Sequence, residues 1–193
     1  EVNRKVDKSF SSQIKTRMNL FLEDIKIVDT YTKTSFIGGQ TKTPTFSVLY
    51  DKEESFVGGA AIVALHMKAA GANVKFTTVI SNDKKGKFVK KQLSKYKIKC
   101  NFFDEKNRPT TNKNTIMSST YKLIKLDTLS NAPINEDTLS KIINKVKSEK
   151  TDLTVFSDFR HGIFNSSSIQ KLSKAIPRKS FKTGDSQVAS RWG

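Results

Sequence analysis

The chain has 193 residues, of which 36% are hydrophobic, and this is enough to bury the core of one domain. It carries 35 Lys and Arg against 18 Asp and Glu, a formal charge of +17. Nucleic-acid binding is one interpretation of that charge, but the lysines are spread along the chain and arginines that read bases are few. A solvated surface, or a basic chain that attracts small anionic substrates, is the interpretation that we favour.

Cysteine, histidine and hydropathy exclude further classes of protein. The single cysteine, Cys100, cannot form an internal disulfide, and the two histidines, His66 and His161, do not provide a zinc cluster. No run of about 18 apolar residues suggests a transmembrane helix, and the Lys-containing start lacks the apolar segment of a signal peptide. These features predict a cytoplasmic protein. Because the sequence begins at Glu1 rather than Met, we expect a cut or processed piece.

The first 24 residues are predicted to stand outside the main domain. Residues 1–9 are charged and have no periodic pattern, which is typical of a frayed arm. Residues 10–22 carry apolar side chains at helical spacing behind two serines. This pattern predicts a helix that either links the chain to something upstream or packs on the core, and the main domain is placed at residues 25–193.

A β-prone run at residues 25–31 comes next, with Asp29 at its end. Carboxylates at the carboxyl ends of strands in α/β proteins commonly face the ligand crevice. The alternative is that Asp29 caps the following turn. Residues 45–50 then alternate polar and apolar side chains, which predicts a strand of a small sheet outside the main core.

The central segment of the sequence is FVGGAAIVALHMKAAGANVKFTTVI, residues 56–80. Paired glycines, a small-residue apolar run and a β-branched run predict a turn, a helix over residues 60–70 and a buried strand over 74–80. Without Cβ atoms, Gly58 and Gly59 let the main chain approach a ligand, and free N–H groups at the helix start point at its oxygens. The alternative is a tight loop that only lets helix and strand pack closely.

Asp83 is predicted to open a lysine-rich helix, whose lysines form a solvated face. Residues 108–117 and 121–127 predict a hairpin, which would pair with the strand at 45–50 and cover the glycine turn. On that flap, Lys113 would reach either a phosphate or hydroxyl group or solvent.

Helices are predicted at 135–150 and 165–175, with strands at 97–103, 153–159 and 180–183. Strands and helices alternate from residue 74 onward, which favours βαβ units and a parallel sheet with right-handed crossovers. Asp158 is a second carboxylate at the end of a strand.

Five of these segments together resemble the ribokinase-type sugar kinases, the phosphofructokinase-B group. They are most similar to the branch that phosphorylates heptose phosphates and related sugars for nucleotide-sugar synthesis. In chain order the segments are VDTY at Asp29, GGAAIVALHMKAAGANV from Gly58, RPTTNK ending at Lys113, LIKLD ending at Asp127 and SDFRHG from Ser157.

The resemblance implies an α/β fold of the ribokinase type: a three-layer sandwich with a mainly parallel sheet, plus a β lid from about 34–50 and 108–127. It implies a kinase that uses ATP and Mg²⁺ in its complete form and dimerises through the lid. Asp29, Gly58 and Gly59 would contact hydroxyls of a sugar or sugar phosphate, Asp158 would lie beside the phosphoryl-transfer site, and Lys113 would sit on the lid.

The chain also departs from the family pattern. Ile62 stands where the family usually has Asn, and LEDIKIVD lacks the usual glycine. The Asn-x-x-Glu element and the Gly-Ala-Gly-Asp turn that carries the general base are not found, and KTGD, ending at Asp185, comes too early to be that turn. We therefore expect the nucleotide-binding part to be missing and the chain to be inactive by itself. A non-catalytic sugar-binding or dimerisation module and a basic nucleic-acid-binding protein are the alternatives.

Overall fold

The computed structural model describes residues 17–22, 27–39, 45–159 and 161–186. The strands in these residues are β1 (Arg17–Leu22), β2 (Val28–Gly39), β3 (Phe46–Val57), β4 (Asn73–Val79), β5 (Lys99–Phe103), β6 (Asn112–Ser118), β7 (Tyr121–Thr128), β8 (Leu153–Asp158) and β9 (Phe181–Ser186). The helices are α1 (Gly59–Ala69), α2 (Lys84–Lys95), α3 (Glu136–Lys147) and α4 (Ser166–Ala175).

Five strands form a central sheet in the order β5-β4-β1-β8-β9, and all of its neighbours are parallel. The chain adds β4 and β5 on one side of β1 and then β8 and β9 on the other. Where the order of a doubly wound sheet reverses, a crevice opens at the carboxyl ends of the strands. That position is the end of β1 beside the end of β8, where Asp158 lies.

Two hydrophobic cores, one on each face of this sheet, give the molecule its three layers. Val74 and Phe76 of β4 pack with buried residues of α1 and α2, whereas Val79 joins the cluster of α3 and α4. Alternate residues of a strand point to opposite faces. Since right-handed crossovers put the helices on opposite faces when the strand order reverses, the two helix pairs cover the two sides. The predicted three-layer α/β fold is confirmed.

A second sheet has the order β3-β2-β6-β7 and forms the predicted lid. Two antiparallel hairpins, β2–β3 and β6–β7, join side by side because β2 and β6 pair in parallel. The prediction that the second hairpin pairs with the strand at 45–50 is wrong. That strand, β3, occupies one edge of β2 along its length, so the other edge of β2 receives β6.

The predicted helix at residues 10–22 is wrong over Arg17–Leu22, which form β1, while residues 10–16 lie outside the described part. β1 is the middle strand of the central sheet and pairs with both β4 and β8. A strand covered by helices on both faces has a nearly continuous apolar run, which periodicity does not separate from a short helix. The sheet therefore includes residues that the sequence pattern assigned to the arm.

The central segment folds as predicted, with each boundary shifted by one residue. α1 occupies Gly59–Ala69 and β4 occupies Asn73–Val79. Asp83 caps α2, as predicted, by accepting a hydrogen bond from the amide of Gly86 at 2.7 Å. None of the helices in the described part of the chain has the length and apolar character needed to span a bilayer.

Candidate functional site

The start of β2 and the first turn of α1 meet where the lid joins the central sheet. Val28 of β2, Ala60 of α1 and Phe159, which follows β8, pack in the same hydrophobic cluster. The main-chain N–H of Gly58 donates to the carbonyl of Ile27 at 2.9 Å, and Val28 lies opposite Val57 in the lid ladder. These contacts hold the base of the lid against the start of α1. Asp29, the second residue of β2, therefore enters the lid beside the glycine turn and does not end a strand of the central sheet, as the sequence pattern had predicted.

The glycine turn has one amide already in use. Gly58 is the extended N-cap of α1, and Gly59 has a φ of 46°, in the left-handed region that favours glycine. Because the N–H of Gly58 is bonded to Ile27, the prediction that this amide is free for a ligand is wrong. The first turn has no side-chain cap, so the amides of Gly59 and Ala60 are the ones that remain for an oxygen ligand.

The lid presents a row of alternating charges. Asp29 of β2 is the register partner of Lys113 of β6, and Lys113 is the register partner of Asp127 of β7. Residues directly opposite in a ladder share a face of the sheet. No ion pair joins Lys113 to Asp127 in the described residues, so the ammonium and the carboxylate do not neutralise each other by direct contact.

On the other side of the crevice, Asp158 ends β8 and His161 follows in the next loop; each is 8% exposed. Asp158 accepts a hydrogen bond from the hydroxyl of Ser186 at 2.9 Å. Nδ1 of His161 lies 2.9 Å from Oδ1 of Asn131, while Nε2 is buried without a partner. If Nδ1 carries the proton, as that amide oxygen requires, Nε2 is a hydrogen-bond acceptor.

The electrostatics of His161 connect the two sides of the crevice. Burial lowers the pKa of His161 and the charge of Lys113 lowers it further, while Asp127 and Asp158 act in the opposite direction. Lys113 and Asp127 of the lid and Asp158 at the end of β8 therefore all influence the pKa of His161.

Arg108 fixes the loop that carries His161. Its guanidinium is buried, pairs with Glu105, and donates to the carbonyl of Ser130 at 3.1 Å and that of His161 at 3.0 Å. Gly162 has a φ of 108°, and a Cβ there would lie 2.1 Å from the carbonyl oxygen of Ala132. The loop therefore needs a glycine next to His161 and the buried arginine behind it.

The sequence patterns single out Asp29, Gly58, Gly59, Lys113 and Asp158. Asp29 and Lys113 are register partners in the lid, the amide of Gly58 is bonded to the residue before β2, and Asp158 ends β8. Asp127, His161 and Arg108 were quoted only as parts of motifs, and no site role was predicted for them. A regular hairpin with its bend at 119–120 would place Leu126 opposite Lys113. The register shift between Ile116 and Met117 brings Asp127 there instead, so the sequence pattern does not indicate this pair. No sequence signal indicates that the guanidinium of Arg108 holds the loop of His161 through hydrogen bonds to its carbonyl groups. Asp185 lies within β9 opposite Ser157, in a strand of the sheet as expected.

The arrangement suits a polyhydroxylated ligand. Carboxylates accept hydrogen bonds from hydroxyl groups, whereas the ammonium of Lys113 and the main-chain amides at the start of α1 donate them. Nε2 of His161, which is buried without a partner, is a further acceptor. Among the described residues no group of three His, Cys, Asp or Glu side chains is placed to hold a metal ion.

Comparisons with known proteins point in the same direction. No family model matches the sequence. The chain is 31% identical over 172 residues to the bifunctional protein HldE of Campylobacter jejuni strain RM1221, a match that covers 88% of this chain and 34% of that protein. The bifunctional protein HldE of Aliarcobacter butzleri is 28% identical over 144 residues, which cover 73% of this chain and 30% of that protein. The chain thus spans about a third of the length of these relatives.

Among solved structures, phosphofructokinase-2 from Escherichia coli in complex with fructose-6-phosphate superposes with a TM-score of 0.69 at 14% sequence identity. The superposition covers 91% of this chain and 56% of that one. At this identity the likeness concerns the fold. The chain is therefore a homologue of part of the bifunctional HldE proteins, and its fold is that of the ribokinase-type sugar kinases.

Proposed function

We propose that the chain is the sugar-binding portion of an ATP-dependent kinase that transfers a phosphoryl group to a hydroxyl of a sugar or sugar phosphate, in heptose and nucleotide-sugar metabolism. The observation that carries this proposal is the charged row of Asp29, Lys113 and Asp127 on the lid, which begins beside the glycine turn because the amide of Gly58 is bonded to Ile27. The homology with HldE proteins and the sugar-kinase fold supply the reaction class.

Each residue of the crevice has a role in this proposal. Asp29 and Asp127 accept hydrogen bonds from sugar hydroxyls, while the amide of Gly59 and the ammonium of Lys113 donate to sugar or phosphate oxygens. Gly58 lets the sugar approach the main chain. Asp158, at the end of β8, borders the position where the phosphoryl group is transferred. Phosphoryl transfer depends on such positioning together with charge stabilisation.

ATP and Mg²⁺ are the cofactors that the complete enzyme would use. Among the described residues no cluster of three or more His, Cys, Asp or Glu side chains is placed to hold a metal ion, and no step through the metal or nucleotide is assigned to them. Asp185 is not the general base in this proposal, because it is a residue of β9 that pairs with Ser157 of β8 and does not belong to a glycine turn at the start of a helix. Use of ATP and a cysteine without a disulfide partner favour a cytoplasmic location.

The partner of the lid is a second copy of the same chain. Ten of the thirteen large apolar side chains that are exposed in the described residues belong to lid strands β2, β3 and β7. They are Phe36, Ile37, Phe46, Leu49, Tyr50, Phe56, Tyr121, Leu123, Ile124 and Leu126. Exposed apolar surface concentrated in one small sheet is typical of a protein interface. The resemblance to lid-dimerised kinases makes a homodimer the proposed assembly.

Nucleic acid is the less favoured partner. The lysines are spread along the chain, and the arginines that could read bases are few and not clustered. The lysines of α2 lie mainly on its solvated face.

The test is sugar binding by the Asp29→Asn variant. Calorimetry with a heptose monophosphate and with fructose 6-phosphate, on the 193-residue chain, should show binding that the variant weakens about tenfold or more, because charged hydrogen bonds are lost. Asp51→Asn is the matched control: it removes the same charge from an exposed lid position. In the complete enzyme, the Asp29 variant should raise the sugar KM and leave nucleotide affinity nearly unchanged.

Two results would count against the proposal. Absence of binding to both sugar phosphates, or equal weakening of sugar and nucleotide affinity by Asp29→Asn, contradicts the assignment of this crevice. If the complete protein binds the sugar but transfers no phosphoryl group from ATP, the result would instead support the alternative of a non-catalytic sugar-binding module.

A further inference from the structure

Lys85 joins the central domain to the lid through all of its N–H donors. Its Nζ lies 2.9 Å from Oγ1 of Thr30, 2.7 Å from Oε1 of Glu53 and 2.9 Å from Oγ of Ser55. An ammonium has three donors, so none remains for another partner. In the described residues, Lys85 is the one lysine of α2 that forms an ion pair, and its side chain is 20% exposed.

The hydrogen bonds continue from Lys85 across the lid. Thr30 accepts from Lys85 and donates to Oδ1 of Asn112 at 2.6 Å. Because Glu53 and Ser55 belong to β3, Thr30 to β2 and Asn112 to β6, one ammonium connects three of the four lid strands to α2. Thr30 is 1% and Asn112 is 9% exposed, so their polar groups have little access to water if the ammonium is removed.

The neighbours of this network are the site residues of the lid. Asp29 precedes Thr30, and Lys113 follows Asn112. Since successive side chains of a strand point to opposite faces, the network occupies one face of the lid and the charged row occupies the other. Holding Thr30 and Asn112 against α2 therefore also fixes the positions of Asp29 and Lys113 in the lid, whose first strand follows the residue bonded to Gly58.

We propose that Lys85 is a positioning residue of the sugar site. It holds β2, β3 and β6 against α2 and thereby sets the distance of Asp29 and Lys113 from the first turn of α1, without touching the substrate itself. The ligand in this inference rests on the proposed function, whereas the attachment of the lid by Lys85 does not.

The experiment compares Lys85→Met and Lys85→Arg with Lys87→Met, which removes the same charge from an exposed position of the same helix. Hydrogen exchange of the 193-residue chain, followed by mass spectrometry, reports the lid strands and the central strands separately. Calorimetry with a heptose monophosphate and fructose 6-phosphate reports sugar affinity.

For Lys85→Met we expect exchange in β2 and β6 to become roughly tenfold faster or more, since several charge-assisted hydrogen bonds are lost, while β4 and β8 keep their protection. The Kd for the sugar phosphate should rise about fivefold or more. Lys85→Arg should keep part of the lid protection and part of the sugar affinity, because a guanidinium also donates several hydrogen bonds. Lys87→Met should behave like the wild type.

Three outcomes would overturn the inference. Unchanged exchange in the lid strands means that Lys85 does not hold the lid. Faster lid exchange with an unchanged sugar Kd means that the attachment does not position the site. If hydrogen exchange in β4 and β8 becomes faster by the same factor as in the lid, Lys85 stabilises the whole fold and not the lid in particular. If the wild type binds neither sugar phosphate, the proposed function fails and the positioning role fails with it, whereas the exchange data still decide how the lid is attached.

Discussion

Gly86→Ala is a substitution for which helix propensity and tertiary structure make opposite predictions. Gly86 is the third residue of α2, and in an exposed helix Ala is more favourable than Gly by about 1 kcal/mol. Here a Cβ would lie 1.9 Å from the carbonyl oxygen of Ser81 and 2.9 Å from Oγ1 of Thr110. The nearer atom belongs to the main chain between β4 and α2, so a rotamer change cannot relieve the overlap.

The hydrogen bonds around Gly86 make this junction hard to shift. The amide of Ser81 donates to Oγ1 of Thr110 at 3.1 Å, and the amide of Thr110 donates to Asp83 at 2.8 Å. Overpacking of a tight site costs up to about 3 kcal/mol. Subtracting about 1 kcal/mol of helix propensity leaves a net loss of about 2 kcal/mol in the free energy of unfolding.

Urea unfolding followed by far-UV circular dichroism measures this loss. With an m-value of about 2 kcal/mol/M, the midpoint of Gly86→Ala should fall by about 1 M. Gly184→Ala is the matched control, because the nearest atoms to its Cβ belong to Phe156 at 3.5 and 3.7 Å, an ordinary contact distance. A Gly86→Ala midpoint at or above that of the wild type would refute the reasoning.

Two further predictions concern the lid and the imidazole. Ile124→Lys, at a 57% exposed lid position, should convert the proposed dimer to monomers in sedimentation velocity, whereas Tyr96→Lys, at a 55% exposed position after α2, should not; equal behaviour of the two variants would count against the lid interface. Burial lowers the pKa of His161 below its usual 6.5, so the unfolded state binds this proton more readily. Stability from His161 is therefore present above about pH 6.5 and lost as the pH falls below it. The free energy of unfolding of the wild type should drop more steeply than that of His161→Gln between pH 7 and pH 5, and parallel curves would contradict the assignment.

Local patterns in the sequence were enough for much of the fold. The glycines before and after α1 and the β-branched run that follows predict the boundaries of α1 and β4 to within one residue. The cap by Asp83 is also a local signal, since its carboxylate bonds an amide three residues away. The ordered motifs indicated the sugar-kinase fold before any coordinates.

Longer-range features were decided by tertiary structure alone. Arg17–Leu22 became the middle strand because β4 and β8, more than 50 and 130 residues along the chain, provide its pairing partners. In the row of Asp29, Lys113 and Asp127, the first pair depends on the register between β2 and β6, which are distant in the chain, and the second depends on the register shift within the β6–β7 hairpin.

The sequence by itself determined the helices and strands of the described residues other than β1, and the kind of kinase they resemble, because those signals depend on residues within a few positions of one another. Tertiary structure decided that Lys85 is the lysine of its helix that leaves the solvated face, and that the amide of Gly58 is already occupied. The physical reason is that each of these contacts joins residues about 30 or more positions apart, so its free energy depends on strand pairing and packing that no local pattern specifies.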